Sequence, residues 1–134
     1  MVTFEEAEIM LDEILTELPD EIFHRLNGGV VIVPDERQSS HSRRPGDLYT
    51  LGEYHHQPMG LGRFVKIYYG SLMRLYSHLP PEKFRVKLKD VLHHELIHHL
   101  ESLAGERDLE KKDALELDYY RRGLPMKYKL KKKE

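Results

Sequence analysis

Apolar residues recur three or four positions apart in two stretches of this chain, over residues 4–18 and again over residues 81–104. That spacing collects them on one face of an α-helix, so both stretches are predicted to be amphipathic helices. Thr3 followed by Glu6 is a capping box at the start of the first helix, and Pro19 ends that helix.

The pattern between these helices favours short strands. Residues 30–33 are a short apolar run of β-branched side chains, which predicts a buried strand. Residues 63–69 alternate imperfectly and predict a second strand, which Gly70 stops. The other predictions are a short helix after Asp20, a polar surface loop over 35–47, a short strand over 48–51, a loop or strand end over 52–58, a short helix from Ser71 to Tyr76, and a last helix over 107–122. The mixture predicts an α+β fold.

The second long helix carries the pattern His94-Glu95-x-x-His98. Positions four apart lie on one face of a helix, so the two imidazoles can bind one metal ion from the same side. Glu95 directly follows the first imidazole and can take a proton from the water that attacks a substrate. The chain has no cysteine, so any metal ion must be held by His, Asp or Glu. The pattern therefore predicts a Zn2+ site of the hydrolase type.

The helix register separates the histidines of this segment. The leucines of the helix cluster on one broad face, which is the predicted core side: Leu88, Leu92, Leu96, Leu100 and Leu103. His94 and His98 lie on a flank of that face, with Glu95 between them and the leucines. Burial there would raise the pKa of the Glu95 carboxyl and suit it to general base catalysis. His99 falls on the core side, as a buried or supporting group, with a metal ligand as the alternative. His93 is predicted to point away from the core, toward solvent or a partner element.

A catalytic zinc site usually has three protein ligands and a water, so a third ligand is expected. Gly105 lets the chain leave the helix, and Asp108 can then return a carboxylate to the metal ion. Glu101 is the alternative, because it lies one turn beyond His98 on the same flank. Glu106 and Asp113 are weaker candidates.

The length and charge of the chain narrow its class. It has 134 residues, 40% hydrophobic and 33% charged, which predicts one globular domain over residues 1–123. Residues 124–134 form a basic C-terminal tail. Positions 121–134 carry a net charge of +6 within a chain of net charge −2. No signal-peptide pattern opens the chain and no apolar run is long enough to span a membrane, so a cytoplasmic protein without a membrane contact is expected. The sequence does not indicate an oligomeric state.

Taken as a whole, the chain resembles the small bacterial minimal zincin family of zinc metallopeptidases. The resemblance rests on the glycine turn and strand over 27–33, on Leu51-Gly-Glu-Tyr54, on the strand over 65–68, and above all on residues 91–99. The family motif continues with x-x-Gly-x-x-Asp, but this chain has Glu101 at the Gly position and Ala104 at the Asp position. Its own Gly-x-x-Asp, Gly105 to Asp108, is shifted by four residues, about one helical turn.

The resemblance implies a zincin-like α+β fold, with a small mixed sheet packed on the active-site helix and flanking helices. In zincins an edge strand binds an extended peptide by adding it to the sheet, and residues 63–69 are the expected edge strand here. Tyr54 is a candidate oxyanion donor or substrate contact near the zinc ion, with a tyrosine at the rim of the core as the alternative.

The sequence thus predicts a zinc-dependent metallopeptidase that acts on a peptide or protein substrate. Its ligands would be His94, His98 and Asp108 or Glu101, and Glu95 would be the general base. One alternative is a metal-binding module of zincin shape without catalysis. Another is a zinc-dependent nucleic-acid hydrolase, suggested by the basic tail and the histidines. Small zinc endoribonucleases lack a Glu directly after the first His, so Glu95 argues against nucleic acid as the substrate.

Overall fold

In the computed structural model of the protein, which describes residues 1–39 and 48–105, the N-terminal helix α1 spans Phe4–Thr16. The predicted capping box is confirmed. The backbone N–H of Glu6 donates to Thr3 Oγ1 over 3.1 Å, and the backbone N–H of Thr3 donates to Glu6 Oε1 over 2.8 Å. The short helix expected after Asp20 is a 3-10 helix, Asp20–Phe23.

Three strands and two more helices follow. They are β1 (Gly29–Val33), β2 (Gly52–Gln57), β3 (Gly62–Tyr68), α2 (Tyr69–Tyr76) and α3 (Pro81–Gly105). The described residues therefore have a mixed α+β architecture, as expected. The prediction of a strand over 48–51 was wrong, because Tyr49 forms only an isolated bridge with Gln38 and the strand starts at Gly52. The residues of β2 are mostly polar, so the sequence pattern did not predict the full strand. The strand forms through hydrogen bonds to a neighbouring strand, which an apolar pattern does not report.

The sheet has the order β1-β3-β2, with β1 parallel and β2 antiparallel to β3. Lys66 of β3 lies between Val31 of β1 and Glu53 of β2. The prediction that residues 63–69 form the edge strand was therefore wrong, because β3 is central and β2 lies at the edge. The sequence of β3 is consistent with this position, since four of its seven residues, Phe64, Val65, Ile67 and Tyr68, are buried apolar or aromatic side chains.

Gly70 does not stop a segment, because it lies in the first turn of α2. Its backbone N–H donates to the carbonyl of Asp35 over 3.0 Å. A Cβ on Gly70 would stand only 2.7 Å from the backbone nitrogen of Glu36. Glycine is required here because two backbone segments approach each other closely.

The core lies where α1 and α3 meet the inner side chains of the sheet. The predicted leucine stripe of α3 is confirmed, since Leu88, Leu92, Leu96, Leu100 and Leu103 are all buried. In residues 1–39 and 48–105, no helix combines the length and the apolar character that crossing a membrane requires. The predicted last helix over 107–122 and the basic tail over 124–134 lie outside the described residues.

Candidate metal centre

The imidazoles of His94 and His98 converge on one point beside α3. Their Nε2 atoms are 3.3 Å apart, and their ring planes are almost perpendicular, at 89°. Two nitrogens bound to one tetrahedral zinc ion at about 2.0–2.1 Å are separated by roughly 3.3–3.4 Å. The observed separation therefore fits two ligands of one zinc ion, as the i, i+4 spacing predicts.

Glu101 contacts the opposite nitrogen of His98. Its Oε1 is 3.3 Å from His98 Nδ1, so the carboxylate approaches the side of the ring that points away from His94. A carboxylate at this nitrogen fixes the tautomer that leaves Nε2 available to a metal ion and makes the imidazole a more basic ligand. The geometry of Glu101 is that of a residue that orients His98.

Glu95 is buried between the histidine pair and the sheet, with 6% of its surface exposed. Gly52, the first residue of β2, lies against it. A Cβ built on Gly52 would stand 3.2 Å from Glu95 Cγ and 3.5 Å from Glu95 Oε2. The backbone of β2 can reach the carboxylate only because this position has no side chain.

Two clefts meet at Glu95. The first, here called the His94 cleft, has a volume of about 380 Å³ and is lined by Thr50, Leu51, Tyr76, Val91, His94 and Glu95, among others. The second, the His98 cleft, has a volume of about 650 Å³ and is lined by Glu53, Tyr54, His56, Glu95, His98 and Glu101 together with Ser102. Glu95 is the residue that lines both clefts. A bound ligand that extends from one cleft to the other would therefore pass over the Glu95 carboxylate.

The hydroxyl of Tyr54 belongs to a buried hydrogen-bond network. It lies 2.9 Å from His99 Nδ1, and the opposite nitrogen of His99, Nε2, lies 2.8 Å from the carbonyl oxygen of His24. Burial lowers the pKa of His99 to about 4, although the bond to His24 acts in the other direction, so the ring is neutral near pH 7. A carbonyl only accepts, so Nε2 carries the proton and Tyr54 donates its own proton to Nδ1. Arg63 completes the network by donating to the Tyr54 oxygen over 3.0 Å and to the hydroxyl of Ser102.

Glu53 lies on the opposite face of β2 from Tyr54. It accepts hydrogen bonds from Tyr68 at 2.7 Å and His55 at 2.9 Å, and Arg37 is 3.0 Å away. Partial burial by itself would raise the pKa of Glu53. The hydrogen bonds from Tyr68 and His55 and the charge of Arg37 outweigh that effect and lower its pKa below the ordinary value. Glu53 is thus held as a carboxylate at one wall of the His98 cleft.

The two remaining histidines of the motif segment differ from each other in how well they were predicted. His99 is fully buried, as its register indicated. His93 is 3% exposed, so the predicted position facing solvent is wrong and the alternative, a position against another element, stays a prediction. His93 shares a helix face with Ile97, Leu100 and Ala104, which are also buried. The buried surface of α3 is therefore wider than the leucine stripe and extends past Leu100 to His93.

A third metal ligand is not among the residues that the structure brings to this pair. Over residues 1–39 and 48–105, no group of three or more His, Asp or Glu side chains is placed to hold one metal ion. Asp108, Glu106 and Asp113 lie beyond the described part of the chain, so Asp108 as the third ligand stays a prediction.

Sequence reasoning missed three residues that shape this region. The sequence pattern gives Gly52 no role of its own within residues 51–54, although a glycine in a strand often marks the close approach of another backbone or side chain. Arg63 is buried, with 2% of its surface exposed, although a charged residue is expected at the surface. Nothing in the sequence pattern indicates this burial. Ser102 gave no signal either, because its role depends on Arg63 reaching it across the fold.

No family model and no curated protein matches this chain. Among solved structures, it is similar to a conserved hypothetical protein from T. thermophilus, with a TM-score of 0.66 and 27% sequence identity. The similarity covers 78% of this chain and 100% of the other. It supports a shared α+β fold, and the description of that protein gives no activity.

Proposed function

We propose that this protein is a zinc-dependent peptidase of zincin-like fold. The observation that carries the proposal is the pair of Nε2 atoms, 3.3 Å apart, with the buried Glu95 beside them. The pair would hold the zinc ion together with a third ligand, for which Asp108 is the candidate. Glu101 would keep His98 in the ligating tautomer. When bound, zinc supplies a Lewis acid that polarises a substrate carbonyl and lowers the pKa of water.

An extended peptide is the substrate class that this surface suits. Among the described strands, β2 pairs with β3 on one side, and its other edge pairs with no described strand. A peptide that pairs with a strand edge adopts an extended conformation with alternating side chains. The His94 and His98 clefts lie along β2 on either side of Glu95, and so would receive residues on the two sides of the bond that is cut.

Glu95 is the residue that moves the proton in this proposal. Its carboxylate would accept a proton from the attacking water and then deliver it to the leaving amine, because amide cleavage requires protonation of the nitrogen. Exclusion of bulk water by the surrounding side chains would strengthen each electrostatic interaction at the carboxylate.

The test compares the wild type with Glu95→Gln. Metal-free protein is titrated with zinc by calorimetry, and the loaded protein is incubated with a library of extended peptides that is read by mass spectrometry. Both proteins are expected to bind one zinc ion, and Glu95→Gln is expected to lose hydrolysis by at least 100-fold, a factor within the range for removing a general base. Glu82→Gln, a change at the exposed start of the same helix, is the matched control and should keep full activity.

Three results distinguish the alternatives. A wild type that binds no zinc would overturn the proposal entirely. Full hydrolysis by Glu95→Gln would exclude the proposed role of Glu95. Stoichiometric zinc binding without cleavage of any peptide would favour a metal-binding module without catalysis.

A further inference from the structure

Two contacts between the strand β2 and the helix α3 have nearly the same spacing along both elements. Gly52 lies against Glu95, and Tyr54 contacts His99 through a hydrogen bond. The residues on the strand are two apart, which is roughly 6.6 Å of strand. Those on the helix are four apart, which is roughly 6 Å along its axis. Because these distances nearly match, the strand lies along the helix without a shift in register over this interval.

The two points differ in their chemistry. The Gly52 contact is steric and prevents the strand from moving closer to Glu95. The Tyr54 contact is directional, because His99 has both of its ring nitrogens engaged, one with Tyr54 and one with the carbonyl of His24. A ring held at both nitrogens has one orientation, and His99 is fully buried. The pair therefore fixes the rotation of α3 about its axis relative to β2.

Arg63 makes the Tyr54 contact costly to break. Its guanidinium is buried and donates to the Tyr54 oxygen, so a loss of that oxygen leaves a buried cation with one acceptor fewer. Arg63 also reaches Ser102 on α3. A residue of the central strand thus reinforces the same alignment of edge strand and helix.

We propose that Tyr54 is a positioning residue, which acts through His99 to hold α3 at the rotation that aims the Nε2 atoms of His94 and His98 into the cleft beside β2. This inference rests on the proposed zinc site. It assigns Tyr54 a role different from that of an oxyanion donor, because the proton of its hydroxyl is directed to His99 and its oxygen accepts from Arg63. Tyr54 would not touch the substrate carbonyl.

The test uses Co2+ as the metal probe, because its visible absorption reports the geometry of the ligands. Tyr54→Phe keeps the ring and removes both hydrogen bonds of the hydroxyl. It is expected to weaken Co2+ binding about tenfold, the lower end of the range for residues that orient metal ligands, and to shift the absorption bands of the bound ion. The matched control is Tyr69→Phe, which removes a half-buried hydroxyl that donates to the carbonyl of Val2, far along the chain from the site. Its Co2+ affinity and spectrum should equal those of the wild type even if its stability falls.

A second measurement is made on the metal-free proteins. Hydrogen exchange of the backbone amides over residues 52–57 should be faster in Tyr54→Phe than in the wild type and Tyr69→Phe, because the edge strand loses its attachment to α3. Wild-type Co2+ affinity and spectrum in Tyr54→Phe would overturn the positioning role and leave the zinc site intact. A wild type that binds neither Co2+ nor Zn2+ would instead overturn the proposed function, and unchanged exchange over residues 52–57 would overturn the attachment itself.

Discussion

Gly52 and Glu95 meet so closely that the space for a methyl group between β2 and α3 is already taken. A Cβ on Gly52 would lie 2.8 Å from Val91 Cγ1 as well as 3.2 Å from Glu95 Cγ. The proposed general base is therefore positioned by the absence of a side chain on the facing strand.

Gly52→Ala is expected to lose more peptide hydrolysis than a variant that is equally destabilised elsewhere in the fold. The added methyl must displace Val91 and Glu95, and small-to-large changes in a packed region cost about 1–3 kcal/mol of unfolding free energy. Activity and urea unfolding are measured on the same samples. Gly70→Ala is the control, because its Cβ would clash with the backbone of Asp35 and Glu36 instead. Equal activity losses at equal losses of stability would show that the Gly52 contact has no special effect on Glu95.

Removing either imidazole of the pair should abolish stabilisation by zinc. A ligand that binds only the folded state, at 100 times its Kd, stabilises that state by about 2.7 kcal/mol. We therefore expect zinc to raise the Tm of the wild type but not that of His94→Ala or His98→Ala. His78→Ala, at an exposed position before α3, is the control and should keep the rise. A zinc-dependent rise that persists in His98→Ala would exclude His98 as a ligand.

Comparison of Asp108→Asn with Glu101→Gln should show which carboxylate completes the site. Because Glu101 contacts His98 Nδ1, Glu101→Gln is expected to weaken zinc binding about 10- to 100-fold, as for a group that orients a ligand. Asp108→Asn should weaken it more, since a charged ligand is lost. Calorimetry or competition with a chelator measures both affinities. The opposite ranking would make Glu101 the third ligand.

Glu53 should stabilise the fold at neutral pH but not in acid. Its pKa is lowered in the folded protein from an ordinary value of 4.5, so its contribution is complete above that pH and disappears as the pH falls through the lower folded value. Hydrogen bonds to a charged group suggest a contribution of about 1.5–3 kcal/mol to the free energy of unfolding.

Urea unfolding of the wild type and Glu53→Gln between pH 3 and pH 7 measures this contribution. The two stabilities should differ near pH 7 and converge toward pH 3. Glu36→Gln, which breaks an exposed ion pair with Arg74, should change stability by less than about 1 kcal/mol at any pH. A difference between wild type and Glu53→Gln that does not vary with pH would contradict the assigned ionisation.

Over residues 1–39 and 48–105, the sequence predicted the helices to within a few residues. The capping box at Thr3, the leucine stripe of α3 and the buried position of His99 follow from local geometry, because the spacing along a helix alone fixes which side chains share a face. The sheet was predicted less well. The strand β2 is polar, and nothing in its own residues shows that it pairs with β3 rather than forming a loop.

The sequence by itself determined that His94 and His98 face one point and that Glu95 lies beside them, since these relations lie within one helix. Only the tertiary structure decided that β2 lies at an edge of the sheet, that Gly52 lies against Glu95, and that Arg63 is buried against Tyr54. Each of these involves residues of different strands or of a strand and a helix, which are brought together by strand pairing and by the packing of α3 on the sheet. Such contacts depend on the whole fold, whereas the local pattern reports only which side of an element is apolar.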